Sequence, residues 1–458
     1  MANGVHNGWA WPVPAWPRSD GDDARVVVLQ PGELVGHGVR GQPDAVPSPI
    51  LAAVSSTAAG SGISFFGKLV RTMLGLVVIA AAAGVATHAM GLWQIAEPTD
   101  PPMMVRPVAK AVSVPGRTVT ILGAGSILPA PEIWDQARRD GGGSTLDFGL
   151  MMAGARKAVS GADLALCHLS APLAATGGPY SGLPRYNVPA EAARAIADTG
   201  FDGCATAAEH AFDQGSAGVA RTLDALDRAE VGHSGTYRVG ERSPHPKIYT
   251  ANGVKVAHLS YTIDLNGQKV PAGRQATVAR PTPTRIENDA RDARAAGAAI
   301  VVVSVDWGTD GEHEPDVDEQ ELARTIATMR DVDLVFGHGA HVAQPVERIG
   351  DKWIIYGLGD FAARHPQPVY DNREGSMMRV TFSPAQAGRW TVAAIEALPT
   401  FIDLNPNIRI VDLEQALADP AVPAGRRTIY QAAVDHLTSH LQTRMGSDSL
   451  LQVRATDK

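Results

Sequence analysis

The segment Gly337-His338-Gly339-Ala340-His341 sets two imidazoles three residues apart in a glycine-bearing loop, a spacing from which both can reach one cation. A buried-strand run, Asp333-Leu334-Val335-Phe336, precedes it. A second run, Lys352–Tyr356, follows and breaks at Gly357-Leu358-Gly359-Asp360. Four other short apolar runs also break at a strand end, three of them into residues able to do chemistry or hold a ligand. They are Thr120-Ile121-Leu122 before Gly123-Ala124-Gly125, Ala165-Leu166-Cys167 before His168-Leu169-Ser170, Gly203–Thr206 before Glu209-His210 and Asp213, and Val303-Ser304-Val305 before Asp306-Trp307-Gly308. Open α/β sheets place their sites at the carboxyl ends of strands, and all five segments break there, four of them into polar residues.

The elements that must position these residues alternate along the chain. Strands are predicted at Thr118–Gly123, Asp163–Leu169, Gly203–Thr206, Val254–Ser260, Ala299–Ser304, Asp333–Gly337 and Lys352–Gly357. Helices are predicted at Phe148–Val159, Ala190–Ala197, Ala217–Ala229, Ile286–Ala296, Asp318–Met329 and, near the end, Thr428–Leu441. Continuous apolar strands such as Ile300–Val303 require burial on both faces, so helices should cover the sheet. Turn signals at Asn252-Gly253 and Ile349-Gly350-Asp351 add antiparallel pairs and make the sheet mixed.

The chain has 458 residues, 45% hydrophobic and 5% aromatic, with a net charge of −8. No Lys/Arg cluster interleaves with aromatic residues, which argues against nucleic acid as a partner. Residues 1–67 read as a disordered tail. From Thr72 to Trp93 runs a stretch without formal charge, long enough to cross a bilayer. Lys68 and Arg71 precede it and Glu97 and Asp100 follow, so the charge bias predicts a signal anchor over 68–95, a cytoplasmic tail and an extracytoplasmic main domain. A Pro-rich linker spans 96–116, the main domain 117–383, and a C-terminal extension 384–458. The two cysteines, Cys167 and Cys204, sit on predicted strands. Buried free thiols are the plainer expectation, and a disulfide is the alternative if the strands are neighbours.

In order and spacing, the motifs resemble the poly-γ-glutamate capsule synthesis (CapA) family, a branch of the calcineurin-like metallophosphoesterases, over about residues 117–365. The resemblance implies a four-layer α/β/β/α sandwich with mixed sheets and a metal site at one sheet edge. The family pattern reads Gly-Asp, Asn/His-Leu-Glu, Asn-His, His-Trp-Gly and Gly-His-His-x-His. Here the first acid is read as Ala124 and the second as Ser170. Glu209 replaces the Asn, Asp306 the His, and Gly339 the middle His, while His210, Asp213, His338 and His341 match.

Two-metal phosphoester cleavage needs a bridging carboxylate. Neither Ala124 nor Ser170 supplies one, so one metal position should be lost. The remaining set, Glu209, Asp306 and His338 with His341, suits one divalent transition metal (Mn, Fe or Zn), with His210 and His338 as the catalytic residues. A fully degenerate site holds none. Plainer roles are open to each residue: hydrogen-bonded loop histidines for His338 and His341, an ion pair for Glu209 with His210, a backbone cap for Asp306, a strand-end hydrogen bonder for His168. Lys269 and Arg274 on the following loop offer cations to an anionic substrate or, more plainly, to solvent. Two functions follow. One is a membrane-anchored extracytoplasmic hydrolase or transferase of envelope or capsule polymer biosynthesis, acting on an anionic polymer or small molecule. The other is a catalytically degenerate relative that binds a polymer or protein partner.

Overall fold

The computed structural model describes residues 117–455 except 242–245, 274–276, 366–370 and 447–449. The predicted tail, membrane span and linker, and Arg274, lie outside the described residues. Among the described residues no helix is long and apolar enough to cross a membrane.

The chain forms a mixed α/β fold of two mixed sheets. In order, the strands are β1 (Val119–Leu128), β2 (Leu164–Leu169), β3 (Gly203–Ala205), β4 (Gly232–Ser234), β5 (Lys247–Ala251), β6 (Val254–Thr262), β7 (Ile300–Asp306), β8 (Leu334–His338), β9 (Val346–Ile349) and β10 (Lys352–Ile355). After them come β11 (Asp360–Ala363), β12 (Glu374–Pro384), β13 (Trp390–Asp403), β14 (Arg409–Asp412) and β15 (Leu451–Val453). The first sheet runs β14-β13-β12-β1-β2-β3-β4, with β11 beside β1 and β15 beside β13. The second runs β5-β6-β7-β8-β10-β9. Strands β1 to β4 are parallel, as are β6, β7, β8 and β10, whereas β12 and β13 return antiparallel.

Side-chain alternation makes the layers. On β7, Ile300 and Val302 face the other sheet, where Val119 and Ile121 of β1 meet them; Val301, Val303 and Val305 face the helices Pro283–Ala295 and Val317–Ala327. The opposite face of the first sheet buries Leu122, Ala124 and Cys167 under the helices Pro131–Asp140 and Glu191–Thr199. Period-2 strands with both faces apolar are what such a helix–sheet–sheet–helix order requires. The Asn252-Gly253 signal becomes the β5–β6 hairpin, both residues at positive φ, and Gly350 turns β9 into β10.

Three features depart from the sequence reading. The single helix expected over Phe148–Val159 is broken into Gly149–Met152 and Arg156–Ser160 by a 3-10 turn, where Gly154 presses against the Ile410 carbonyl so closely that a Cβ would lie 2.3 Å from its oxygen. Residues 384–455 continue the first sheet as β13–β15 and lay the helix Ala424–Leu441 on β12 and β13. Cys167 and Cys204 face each other in the β2–β3 register with Cα atoms 4.4 Å apart and are joined as a disulfide, which corrects the free-thiol expectation.

Candidate active site

The sheets bring their strand ends together at one edge, and β1 arrives there by a bulge. Its register against β2 slips by one residue between Gly123, opposite Leu166, and Ser126, opposite His168. The extra residue turns Ala124 under the helices and points Ser126 at the site. The first strand's contribution is therefore Ser126, and the assignment of that position to Ala124 is corrected. That assignment matches Gly123-Ala124 to the Gly-Asp of the family pattern, without the register that the bulge sets.

His168 at the end of β2 is the hub of this half. Its Nδ1 lies 3.0 Å from Ser126 Oγ and 3.1 Å from Ser170 Oγ, all three residues buried. Its ring stacks on His338, centroids 4.2 Å apart, and its Nε2 sits 3.6 Å from Asp306 Oδ2. Asp306 does not cap the segment that follows it. Its Oδ2 accepts the backbone N–H of Glu209 at 2.7 Å, tying the end of β7 to the 3-10 turn after β3. Burial pushes the His338 imidazole well below its usual range, and His168, His258 and His341 push the same way. His338 is thus a neutral ring, and its buried Nδ1 has no hydrogen-bond partner.

Glu209 is half-exposed, 3.9 Å from His210 Nε2, and burial raises its carboxyl pKa. His210 itself is buried in a built arrangement. Its Nδ1 lies 2.8 Å from Asp213 Oδ2, which also accepts the Tyr186 N–H at 2.8 Å. Asn266 donates to Asp213 Oδ1 at 2.8 Å, and the Tyr186 ring meets the imidazole edge-on. A carboxylate holding Nδ1 leaves Nε2 as the working nitrogen. The sequence reading matched Asp213 to the family but missed Asn266, whose only signal is the Asn-Gly turn at 266–267.

His341 and His338, though neighbours in sequence, serve different groups. His341 has φ +57, and its Nδ1 is 2.7 Å from Asp360 Oδ1; His365 Nε2 is 2.7 Å from Asp360 Oδ2. Burial would lower the His341 pKa, but Asp360 outweighs it and raises it to about 9. Burial would raise Asp360, yet His341 and then His365 hold it below the ordinary carboxylate range. Between the two imidazoles, position 339 (φ +102) admits no side chain: a Cβ would lie 2.1 Å from the Trp307 carbonyl oxygen.

The expected ligand set is therefore divided. Among the described residues, ligand atoms of three candidate residues come within 4.8 Å of one another in two groups. One is His341, Asp360 and His365; the other is His313, His436 and His440. Glu209, Asp306 and His338 join neither. Of the expected ligands only His341 lies in a gathered group, and its companions Asp360 and His365 were missed, although Gly359-Asp360 was noted as a strand break. Imidazole, carboxylate and imidazole are competent for Mn, Fe or Zn, so the residues present fit a single ion. They do not fit a closely spaced pair, because Ser126 and Ser170 are hydroxyls closed onto His168. Lys269 is exposed on its loop.

The bacterial capsule synthesis protein family PGA_cap matches residues 120–365, more than half of the chain. The chain belongs to this family. It is 26% identical over 207 residues to the PGA biosynthesis protein CapA of Bacillus subtilis, covering 45% of this chain and 53% of that protein. It is 29% identical over 182 residues to the capsule biosynthesis protein CapA of Bacillus anthracis, covering 37% and 42%. The chain thus spans about half the length of the curated relatives it matches. Among solved structures it is similar to the calcineurin-like phosphoesterase YfkN of Bacillus subtilis, at 14% identity and TM-score 0.38, covering 70% of this chain and 99% of that one. Every residue of the site lies inside the family match.

Proposed function

We propose that this chain is a capsule or envelope-polymer biosynthesis protein that acts as a single-metal hydrolase or transferase on an anionic polymer of the poly-γ-glutamate kind. It is anchored through residues 72–93 with the main domain outside the cytoplasm. Family membership supports the polymer class, and the charge bias around the uncharged stretch supports the topology. The observation that carries catalysis is the His210–Asp213 pair with its Tyr186 and Asn266 supports. Three residues fixing one imidazole is more than a solvated loop histidine needs.

In this reading His341, Asp360 and His365 would hold the ion, which would supply Lewis-acid polarisation of a carbonyl or phosphoryl oxygen. Asp213 accepts the His210 Nδ1–H and leaves the Nε2 lone pair facing the substrate, where it takes the proton of the attacking water or acceptor hydroxyl and then returns it to the leaving group. Glu209, half-exposed beside that nitrogen, shapes the substrate-facing rim. The buried Trp307, whose Nε1 donates to the Tyr356 carbonyl at 2.8 Å, holds the neighbouring loop still.

The test is incubation of the full-length chain with poly-γ-glutamate and Mn²⁺, with product size read by chromatography. Turnover should fall about 10²–10⁴-fold in His210→Gln. A second reading, a binder without turnover, is favoured by the closure of Ser126 and Ser170 onto His168. Retained polymer binding with no cleavage by the natural chain would establish that one instead.

A further inference from the structure

Three histidines outside the strand-end site converge where the C-terminal helix crosses the loops of the main fold. His436 and His440 stand at i and i+4 on the helix Ala424–Leu441, beyond the family match, and their Nε2 atoms are 2.9 Å apart. His313 comes from the loop between β7 and the helix Val317–Ala327, and its ring stacks on His440 with centroids 3.8 Å apart. No part of the activity proposed above uses them.

The hydrogen bonds on the far nitrogens are those of metal-ligating imidazoles. His436 Nδ1 lies 2.6 Å from Glu374 Oε2, and His313 Nδ1 lies 2.9 Å from the Ala343 carbonyl. Each arrangement fixes the proton on Nδ1 and turns the Nε2 lone pair inward. The His313 Nε2 is buried without a hydrogen-bond partner, and the nearest carboxylate oxygen, Asp371 Oδ2, stands 3.5 Å away. Two inward nitrogens at 2.9 Å, a third left unpartnered and a carboxylate beside it make a nitrogen-rich, four-ligand set of the kind that binds zinc tetrahedrally.

We propose that His313, His436 and His440, with Asp371 as fourth ligand, form a structural zinc site that clamps the C-terminal helix to the segments after β7 and β11. Coordination opens the His313–His440 stack so that both lone pairs meet the ion. With four protein ligands the site has no open position, so it holds the helix in place and does not react.

The full-length chain, stripped with chelator and reloaded with Zn²⁺ alone, reports the site by metal analysis. Asp360→Asn removes the strand-end group and His440→Gln removes this one. The proposal expects Asp360→Asn to keep one equivalent that the double variant loses, and zinc to raise the melting temperature of Asp360→Asn but not of the double variant. Asp371→Asn, a milder change, should weaken that equivalent at least tenfold. Co²⁺ in Asp360→Asn should give the visible bands of a tetrahedral ion. If Asp360→Asn holds no zinc, or holds it unchanged when His440 is also replaced, the proposal is overturned. If the natural chain and Asp360→Asn each hold one equivalent and His440→Gln holds none, this site stands and the strand-end ion of the proposed function falls.

Discussion

The ends of β1 and β2 and the segment from β8 to β11 meet at one edge, yet they have fared differently. On the first side the hydroxyls of Ser126 and Ser170 both turn onto His168. On the second side, His341 and His365 still grip a buried carboxylate from both oxygens. The first side is a patch of two hydroxyls hydrogen-bonded to one imidazole, while the second keeps a carboxylate and two imidazoles together. A site can lose half its electrostatics and keep its shape, because the bulge, the sheet register and the glycine at 339 are backbone properties that a side-chain replacement leaves alone.

The largest effect should come from trying to undo the asymmetry. With no carboxylate to bridge two cations, the natural chain should cleave simple phosphodiesters at least about 10³-fold below ordinary enzymatic turnover. Ser126→Asp with Ser170→Glu should raise that rate at least tenfold, with a spin-coupled Mn²⁺ pair visible by electron paramagnetic resonance. Position 339 stays glycine in this design, since its backbone admits no Cβ. Ordinary phosphodiesterase rates in the natural chain would end the comparison.

Next in size is the stability difference between the two sides. Asp360→Ala strips the partner from two buried or half-buried imidazoles and should cost about 3–5 kcal/mol, the range for breaking a buried pair. Ser126→Ala removes one hydroxyl from His168, which keeps Ser170, and should cost about 1 kcal/mol. Urea denaturation of metal-free protein compares them; equal costs would mean that the serine side is as much a structural pair as the other.

The smallest effect is a pH background that both sides share. Burial raises Glu319 from 4.5 to about 7, outweighing the Asp316 backbone N–H that it accepts. The folded state thus binds this proton more tightly than the unfolded one. Its stabilising contribution is complete below about pH 4.5 and is lost as pH rises towards 7, with a slope of at most about 1.4 kcal/mol per pH unit. Glu319→Gln keeps the capping box on the helix Val317–Ala327 and should flatten the urea midpoint across that window. An unchanged slope would assign the pH response to the site itself.

Much of this was legible in the sequence wherever local pattern and tertiary role agree. Ile300–Val303 reads as a doubly buried strand because it is one, and Asn252-Gly253 reads as a hairpin because positive φ favours those residues. β13 was illegible, since its first half alternates between half-buried and exposed residues and resembles a loop. Ser126 was missed because a bulge leaves no mark in a single sequence. Asp360 and His365 were missed because their partner, His341, is chosen by how β11 pairs with β1. The spacing of His436 and His440 was visible throughout, but nothing local says that His313 lies opposite.

The central strand of the first sheet has a partner that is made late. Val119 of β1 pairs with Phe382 of β12, and β12 in turn depends on β13 along eleven matched positions. A ribosome delivers β1 to β4 long before either, so one flank of β1 must wait with its backbone groups unpaired, and such distant pairing is slow to form. If the domain crosses a membrane from its N-terminal end, that wait falls outside the cell. Folding would then be timed by the emergence of β12 and β13, and a chain stopped at residue 365, where the family match ends, would leave Val119–Gly123 of β1 without its partner on that flank.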